Sequence, residues 1–146
     1  VHDLSADLRV IEQGAVPVPA DRADVGETHP FTLLPVTDTA HALDTPTVAH
    51  CRSAESTRLA AEAGVDLILH GHDHRHSLMW FDGPGGRIPA IGVPSASAVI
   101  DGRHDPAAYN LFRIARADNA WRCDWTIRGF QIGRNGITQL DEKRLI

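Results

Sequence analysis

The chain has 146 residues, 42% of them hydrophobic, so it can form one core of ordinary size and nothing in its length requires two domains. Its 14 basic and 19 acidic residues give a net charge of -5, and no segment carries a basic block, which argues against a nucleic-acid-binding surface. No window approaches the roughly 18 consecutive apolar residues of a membrane span, and the first residues lack the regions of a signal peptide. We therefore expect a cytoplasmic protein without a membrane segment. Its two cysteines, Cys51 and Cys123, should be free thiols.

Residues 1–50 show little periodicity. Five of the nine prolines lie there and interrupt every candidate helix or strand. Only "DLRVI", residues 7–11, is typical of a short strand. We expect loops and irregular structure over the rest of this segment.

A short helix is predicted for "SAESTRLAAEAG", residues 53–64. Ser53 can cap its amino terminus, Glu55 suits the first turn, and Gly64 can end it in a left-handed conformation. The apolar run "VDLIL", residues 65–69, follows almost without a linker and is typical of a strand buried on both faces in a parallel sheet. The predicted order is helix, tight turn and buried strand.

Beyond residue 76 the pattern changes to that of antiparallel β structure. The stretch "FDGPGGRIPAIGV" contains a Gly/Pro turn and then an apolar strand, while "YNLFRIARA" and "WRCDWTIRGF" flank the turn-like "ADNA". Strict alternation in the last segment predicts one buried and one solvated face. The buried set is expected to be Trp121, Cys123, Trp125 and Ile127. The chain is therefore expected to be of the α/β or α+β class.

Four histidines occupy alternate positions directly after the predicted buried strand, namely His70, His72, His74 and His76. Open α/β sheets place their ligands at the carboxyl ends of their strands. Gly71 would let the backbone turn sharply or approach an ion, and side chains two residues apart can point to one side of an extended segment. Because neutral imidazole binds zinc, manganese, iron or nickel, the pattern predicts that His72 and His74 hold a divalent metal. A solvated loop or a local hydrogen-bonding network is the alternative interpretation.

The flanking histidines have two interpretations each. His70 can orient a metal ligand, or it can be hydrogen-bonded to backbone at the end of its strand. His76 can reach a phosphate group, or it can lie in a solvated loop.

The stretch "LILHGHDHR", followed by "IPAIGVPSASA", "AYNLFRI" and the closing "IRGF", resembles the carboxyl-terminal half of a calcineurin-like metallophosphoesterase over about residues 53–146. In that family two β-sheets form a four-layer α/β/β/α sandwich, and two metal ions activate a hydroxide that attacks phosphorus. The resemblance implies that His72 and His74 are catalytic metal ligands, one for each ion, with Asp73 as the variable position between them. It implies manganese, iron or zinc as the ions and a phosphate ester as the substrate.

The ligand motifs that the family carries upstream, Asp-x-His, Gly-Asp-x-x-Asp and Gly-Asn-His-Asp/Glu, do not precede the G-H-x-H motif in this chain. "DGRHD", residues 101–105, has Arg103 where the family has Asn, and it follows the motif, so we interpret it as a surface turn. His29 in "ETHPF" is a candidate for a further family ligand, although no apolar strand leads into it.

A truncated start or a shifted reading frame would explain why the family pattern begins only at residue 53. The strand in "VDLIL" would then lack neighbours, and its apolar face and edge would be exposed. We accordingly expect a single incomplete domain over residues 1–146, irregular over 1–50 and family-like over 53–146.

Three functions agree with these patterns. The first is a metal-dependent phosphoesterase fragment with weak or no activity alone. The second is a non-catalytic remnant or β-rich interaction module, and the third is a protein that binds a single metal through the histidine cluster. The sequence does not indicate the substrate or the oligomeric state.

Overall fold

The computed structural model describes residues 9–13, 30–99 and 105–146. These residues form, in chain order, β1 (Arg9–Gln13), α1 (Pro30–Ala42), β2 (Val48–Cys51), α2 (Ala54–Glu62), β3 (Leu67–His70), β4 (Ser77–Gly83), β5 (Gly86–Gly92), β6 (Ala108–Ala117), β7 (Ala120–Phe130) and β8 (Ile137–Arg144). Two sheets and two helices, with strands predominating, confirm a mixed α and β class. No helix in this described part is long and apolar enough to cross a bilayer.

The described elements belong to two compact units. One unit contains β1 with β6, β7 and β8, and the other contains the elements from α1 to β5. The prediction of a single domain stays a prediction.

The second unit contains a four-stranded mixed sheet in the order β2-β3-β5-β4. Both β2 and β5 run parallel to β3, and β4 forms an antiparallel hairpin with β5 around Pro84 and Gly85. All four residues of β3 are buried, which confirms the predicted strand in a parallel setting. The expectation that this strand lacks neighbours is wrong, because β2 and β5 pair with its two edges.

The predicted short helix is confirmed as α2. The side chain of Ser53 accepts a hydrogen bond from the amide of Ser56, and the hydroxyl of Ser56 accepts one from the amide of Ser53, which completes a capping box. Gly64 takes a positive φ of 76° just beyond the helix, as predicted. The helix lies against the mixed sheet in an apolar cluster that comprises Ala60, Ala61, Val65, Cys51, Ile68, Ile88 and Ala90.

The first unit contains a fully antiparallel sheet in the order β1-β6-β7-β8. Strands β6 and β7 form the predicted hairpin, and its two turn residues, Asp118 and Asn119, both have positive φ, as a tight primed turn requires. The predicted buried face is confirmed for Cys123, Trp125 and Ile127, whereas Trp121 is half-buried.

The segment before residue 53 differs from the expectation of irregular structure. It contains the 13-residue helix α1 and the strand β2, while β1 lies where the short strand was predicted. Pro30 begins α1, a position where its missing N–H costs nothing, but Pro35 lies inside the helix. Because apolar residues are spread around α1 without a single apolar face, neither periodicity nor proline content predicts this helix.

Candidate functional site

The carboxyl end of β3 is the candidate site. Strand β3 ends at His70, and residues 71–76, which we call the histidine loop, connect it to β4 at Ser77. Both neighbours of β3 run parallel to it, so the loop leaves the sheet at the end where α/β folds usually bind ligands. The sequence-based prediction of the loop's position is thereby confirmed.

His72 and His74 are exposed and share an unusual backbone conformation. Their φ angles are 78° and 53°, in the left-handed region that only a few per cent of residues other than glycine adopt. Such a conformation costs on the order of 1 kcal/mol or more per residue and persists only where the surrounding structure imposes it. The two strongest metal-ligand candidates are therefore also two of the conformationally strained residues in this part of the chain.

Gly71 does not use the left-handed conformation that glycine adopts most readily, and its predicted roles in turning the chain or approaching an ion stay predictions. Gly71 is not among the glycines with positive φ, and a Cβ added to it would meet no atom within 4 Å. The left-handed residues of the histidine loop are instead His72 and His74. The sequence pointed to Gly71 as the residue with unusual backbone geometry, whereas the structure gives that geometry to His72 and His74.

The described residues do not provide a complete metal site. Nowhere in this part of the chain are three His, Cys, Asp or Glu side chains grouped so that they could hold an ion. Asp73 is exposed between the two histidines. Two exposed imidazoles on one short loop can supply two ligands, whereas a stable zinc site takes at least three from the protein.

His70 lies at the base of the loop, and its imidazole is largely buried at 9% exposure. Its Nε2 atom is 3.3 Å from Oγ of Ser77, the first residue of β4. The imidazole is thus hydrogen-bonded to a side chain, which the sequence-based interpretations had not included. Its predicted role in orienting a metal ligand stays a prediction.

Gly92 at the end of β5 makes this hydrogen bond possible. In the mixed sheet Gly92 is the register partner of His70 on one side and of Ser77 on the other. A Cβ added to Gly92 would lie 2.3 Å from Ser77 Oγ and 2.8 Å from His70 Cε1. The two side chains therefore meet above the bare Cα of this glycine. Sequence reasoning missed both Ser77 and Gly92, because only the strand register brings them to His70.

The remaining candidates lie apart from this arrangement or outside the described residues. His76 is half-buried at the end of the histidine loop. His29 and Asp101 to His104 fall outside the described residues, so the predicted ligand and the predicted surface turn stay predictions. Asp105 is half-buried just before β6.

At the opposite end of β3, Asp66 joins three elements of the same unit. Its Oδ2 atom accepts hydrogen bonds from the amide of Thr47 at 2.7 Å and from the hydroxyl of Thr47 at 2.9 Å. Nε2 of His41, in the last turn of α1, lies 2.9 Å from the same oxygen. These contacts give Asp66 and His41 a structural role that the sequence patterns did not predict.

Neither cysteine is suited to act as a nucleophile. Both are buried free thiols, as predicted. Burial raises the pKa of the Cys51 thiol, although hydrogen bonds with the side chains of Ser56 and Thr57 act in the opposite direction. Burial raises the pKa of Cys123 to about 11, and the neighbouring Asp124 carboxylate adds to that increase. Since the thiolate is the reactive form, thiol chemistry at neutral pH is disfavoured.

Comparison with known proteins gives no identification. No protein-family model matches the chain, and no curated protein matches it.

Proposed function

We propose that this chain carries the second half of a metallophosphoesterase domain, in which His72 and His74 are metal ligands. The observation that supports the proposal is the position of the G-H-x-H motif. It lies at the carboxyl end of the buried parallel strand β3, and β3 in turn follows the capped helix α2. The fold that it implies is part of the family's four-layer α/β/β/α sandwich, and the substrate that it implies is a phosphate ester.

The described residues fit part of such a metal site. His72 and His74 are exposed on the same loop, and imidazole nitrogen is a ligand for manganese, iron and zinc alike. No third donor joins them among the described residues, and carboxylates, which a site with two ions needs as ligands, are represented in the loop by Asp73 alone. We accordingly propose weak metal binding and little hydrolysis by this chain on its own.

Replacing both histidines with glycine should abolish the binding of Mn²⁺ and Zn²⁺. Glycine is the better choice than alanine here because φ angles of 78° and 53° suit it, so the backbone is not strained further by the substitutions. Metal content after equilibrium dialysis, measured by elemental analysis, is expected to fall to background in the His72→Gly, His74→Gly double variant.

His50→Ala is the matched control for this experiment. His50 is exposed like His72 and His74, but it lies on strand β2 of the mixed sheet and not in the histidine loop. Its removal should leave the metal content unchanged. Equal metal content in the wild type and the double glycine variant would disprove the ligand assignment.

Hydrolysis of chromogenic phosphate monoesters and diesters by the isolated chain should be slow or undetectable, even with added Mn²⁺. Two metal ions must be held before they can orient and activate the reactants, and no third donor joins the two histidines among the described residues. Initial rates at saturating Mn²⁺ would measure this. Robust turnover that disappears in His72→Gly would contradict the expectation and show that further ligands come from elsewhere in the chain or from a second copy.

A non-catalytic remnant that keeps the fold, as an interaction module, is the second candidate function. The observation that favours it is the same absence of a three-donor group among the described residues. Metal binding that is equally weak with and without the two histidines would support this candidate over the first. A protein that binds a single metal ion would instead show one equivalent of ion, lost in the glycine variant, and no hydrolysis.

A further inference from the structure

We infer that His70 and Ser77 form a clamp that holds the histidine loop in its left-handed conformation, and that both are positioning residues for His72 and His74. The hydrogen bond between His70 Nε2 and Ser77 Oγ is the link that closes the clamp. The conformational part of this inference stands on geometry alone, and its consequence for metal binding rests on the function proposed above.

The two clamp residues flank the loop. His70 is the last residue of β3 and Ser77 is the first residue of β4, so every residue of the histidine loop lies between them in sequence. Strands β3 and β4 are not neighbours in the mixed sheet, because β5 lies between them. No backbone hydrogen bond of the sheet ladder therefore ties the two ends of the loop directly to each other. Both ends are paired with Gly92 of β5, and the side-chain hydrogen bond adds a direct link between them.

The span between the two strands explains why the arrangement needs Gly92. Strands separated by one intervening strand lie about 9.6 Å apart, twice the usual spacing. An imidazole and a hydroxymethyl group can meet over that distance only if nothing projects between them. Gly92 is the register partner of both residues and projects no side chain into the place where they meet.

Burial makes the clamp effective. His70 is only 9% exposed and Ser77 is half-buried, so their hydrogen bond is partly shielded from water and is stronger than one fully at the surface. His72 and His74, by contrast, are exposed. Fixing the two ends of a short loop reduces the number of conformations open to the residues between them. The clamp thereby favours the strained left-handed geometry of His72 and His74.

The hydrogen bond also limits what His70 can do. Its Nε2 atom is directed to Ser77 and is not available to an ion at the same time. Nε2 of His70 therefore does not serve as a third metal-binding atom while this hydrogen bond is made, and we assign His70 as a positioning residue.

Three variants test the clamp in the full chain: Ser77→Ala removes the hydroxyl, Ser77→Thr retains it, and Ser97→Ala is the control. Ser97 is an exposed serine whose hydroxyl pairs with that of Ser95, and it takes no part in the clamp. In metal-free protein, Ser77→Ala should shift the amide resonances of residues 71–76 and speed their hydrogen exchange about fivefold, the effect of losing one typical hydrogen bond. Ser77→Thr should restore both, and Ser97→Ala should change neither.

A second measurement on the wild-type chain does not depend on any variant folding. The hydrogen bond should give His70 Nε2 a ¹⁵N chemical shift distinct from that of exposed His50, at a pH where both rings are neutral. Matching shifts for the two rings would overturn the clamp, and so would a Ser77→Ala variant whose loop amides behave like those of the wild type.

Titration with Zn²⁺ separates the clamp from the proposed function. If the wild type binds zinc, Ser77→Ala should weaken binding about fivefold, in proportion to one lost hydrogen bond, and Ser77→Thr should recover it. Zinc affinity that is unchanged in Ser77→Ala would overturn the positioning role. A wild type that binds no zinc would count against the proposed function alone, and the resonance measurements would still decide whether the clamp exists.

Discussion

Replacing Phe112 with alanine should lower the free energy of unfolding of the antiparallel sheet by about 3–5 kcal/mol, the cost typical of truncating a buried phenylalanine. Phe112 lies in the middle of β6 and has 0% exposure. Its register partner on β7 is Trp125, which is also buried. Removing the ring leaves a cavity in a face where neighbouring side chains can collapse only partly, so both the lost burial and the cavity contribute to the cost.

Urea denaturation followed by tryptophan fluorescence would measure this effect, because Trp125 lies beside the substituted residue in the sheet. Arg113→Ala is the matched control, since Arg113 is the next residue of β6 and is exposed on the opposite face. We expect it to change the stability by less than about 0.5 kcal/mol. A Phe112→Ala variant as stable as Arg113→Ala would show that this face of the sheet is not a packed core.

The elements predicted correctly from the sequence are those with local signals. Ser53 and Gly64 mark the two ends of α2, and both act as the sequence suggested, by a capping box and a positive φ. The hairpin of β6 and β7 was predicted from alternation and from a turn that contains Asp118 and Asn119. In each case the residues that determine the structure are close neighbours in the chain.

The elements missed are those that depend on distant residues. Helix α1 has two prolines and no single apolar face, so its sequence resembles a loop. Among its contacts is the one between His41 and Asp66, residues that lie 25 positions apart. Likewise β2 is only four residues long, and it is identified as a strand by its pairing with β3. No periodicity within such short segments could have shown these partners.

The candidate site likewise has features that the sequence predicted and features that it did not. The motif itself and the strand before it placed His72 and His74 at the carboxyl end of β3 without any knowledge of the fold. Their left-handed backbone was not predicted, because glycine adopts this conformation far more readily than histidine and Gly71 is adjacent. The contact of His70 with Ser77 above Gly92 depends on the register of three strands, which sequence alone did not supply.

The substitution Gly92→Ala should destabilise the mixed sheet by about 1–3 kcal/mol, the usual range for a group inserted into occupied space. The new methyl group would lie 2.3 Å from Ser77 Oγ and 2.8 Å from His70 Cε1, so at least one of these side chains must move. Ser77 Oγ can move away only by rotating about χ1, and His70 Cε1 only by turning the imidazole ring. The hydrogen bond between them is expected to be lost as well.

Gly85→Ala provides the matched control, because it makes the same chemical change in the β4–β5 turn of the same unit. A Cβ at Gly85 would meet no atom within 4 Å, and its φ is not positive, so this variant should be neutral or more stable by up to about 1 kcal/mol. Thermal unfolding of both variants, compared with the wild type, would measure the difference. Equal melting temperatures for the two alanine variants would contradict the close approach at Gly92. They would show that the sheet accepts a methyl group there at no cost, in which case His70 and Ser77 cannot be in contact above Gly92.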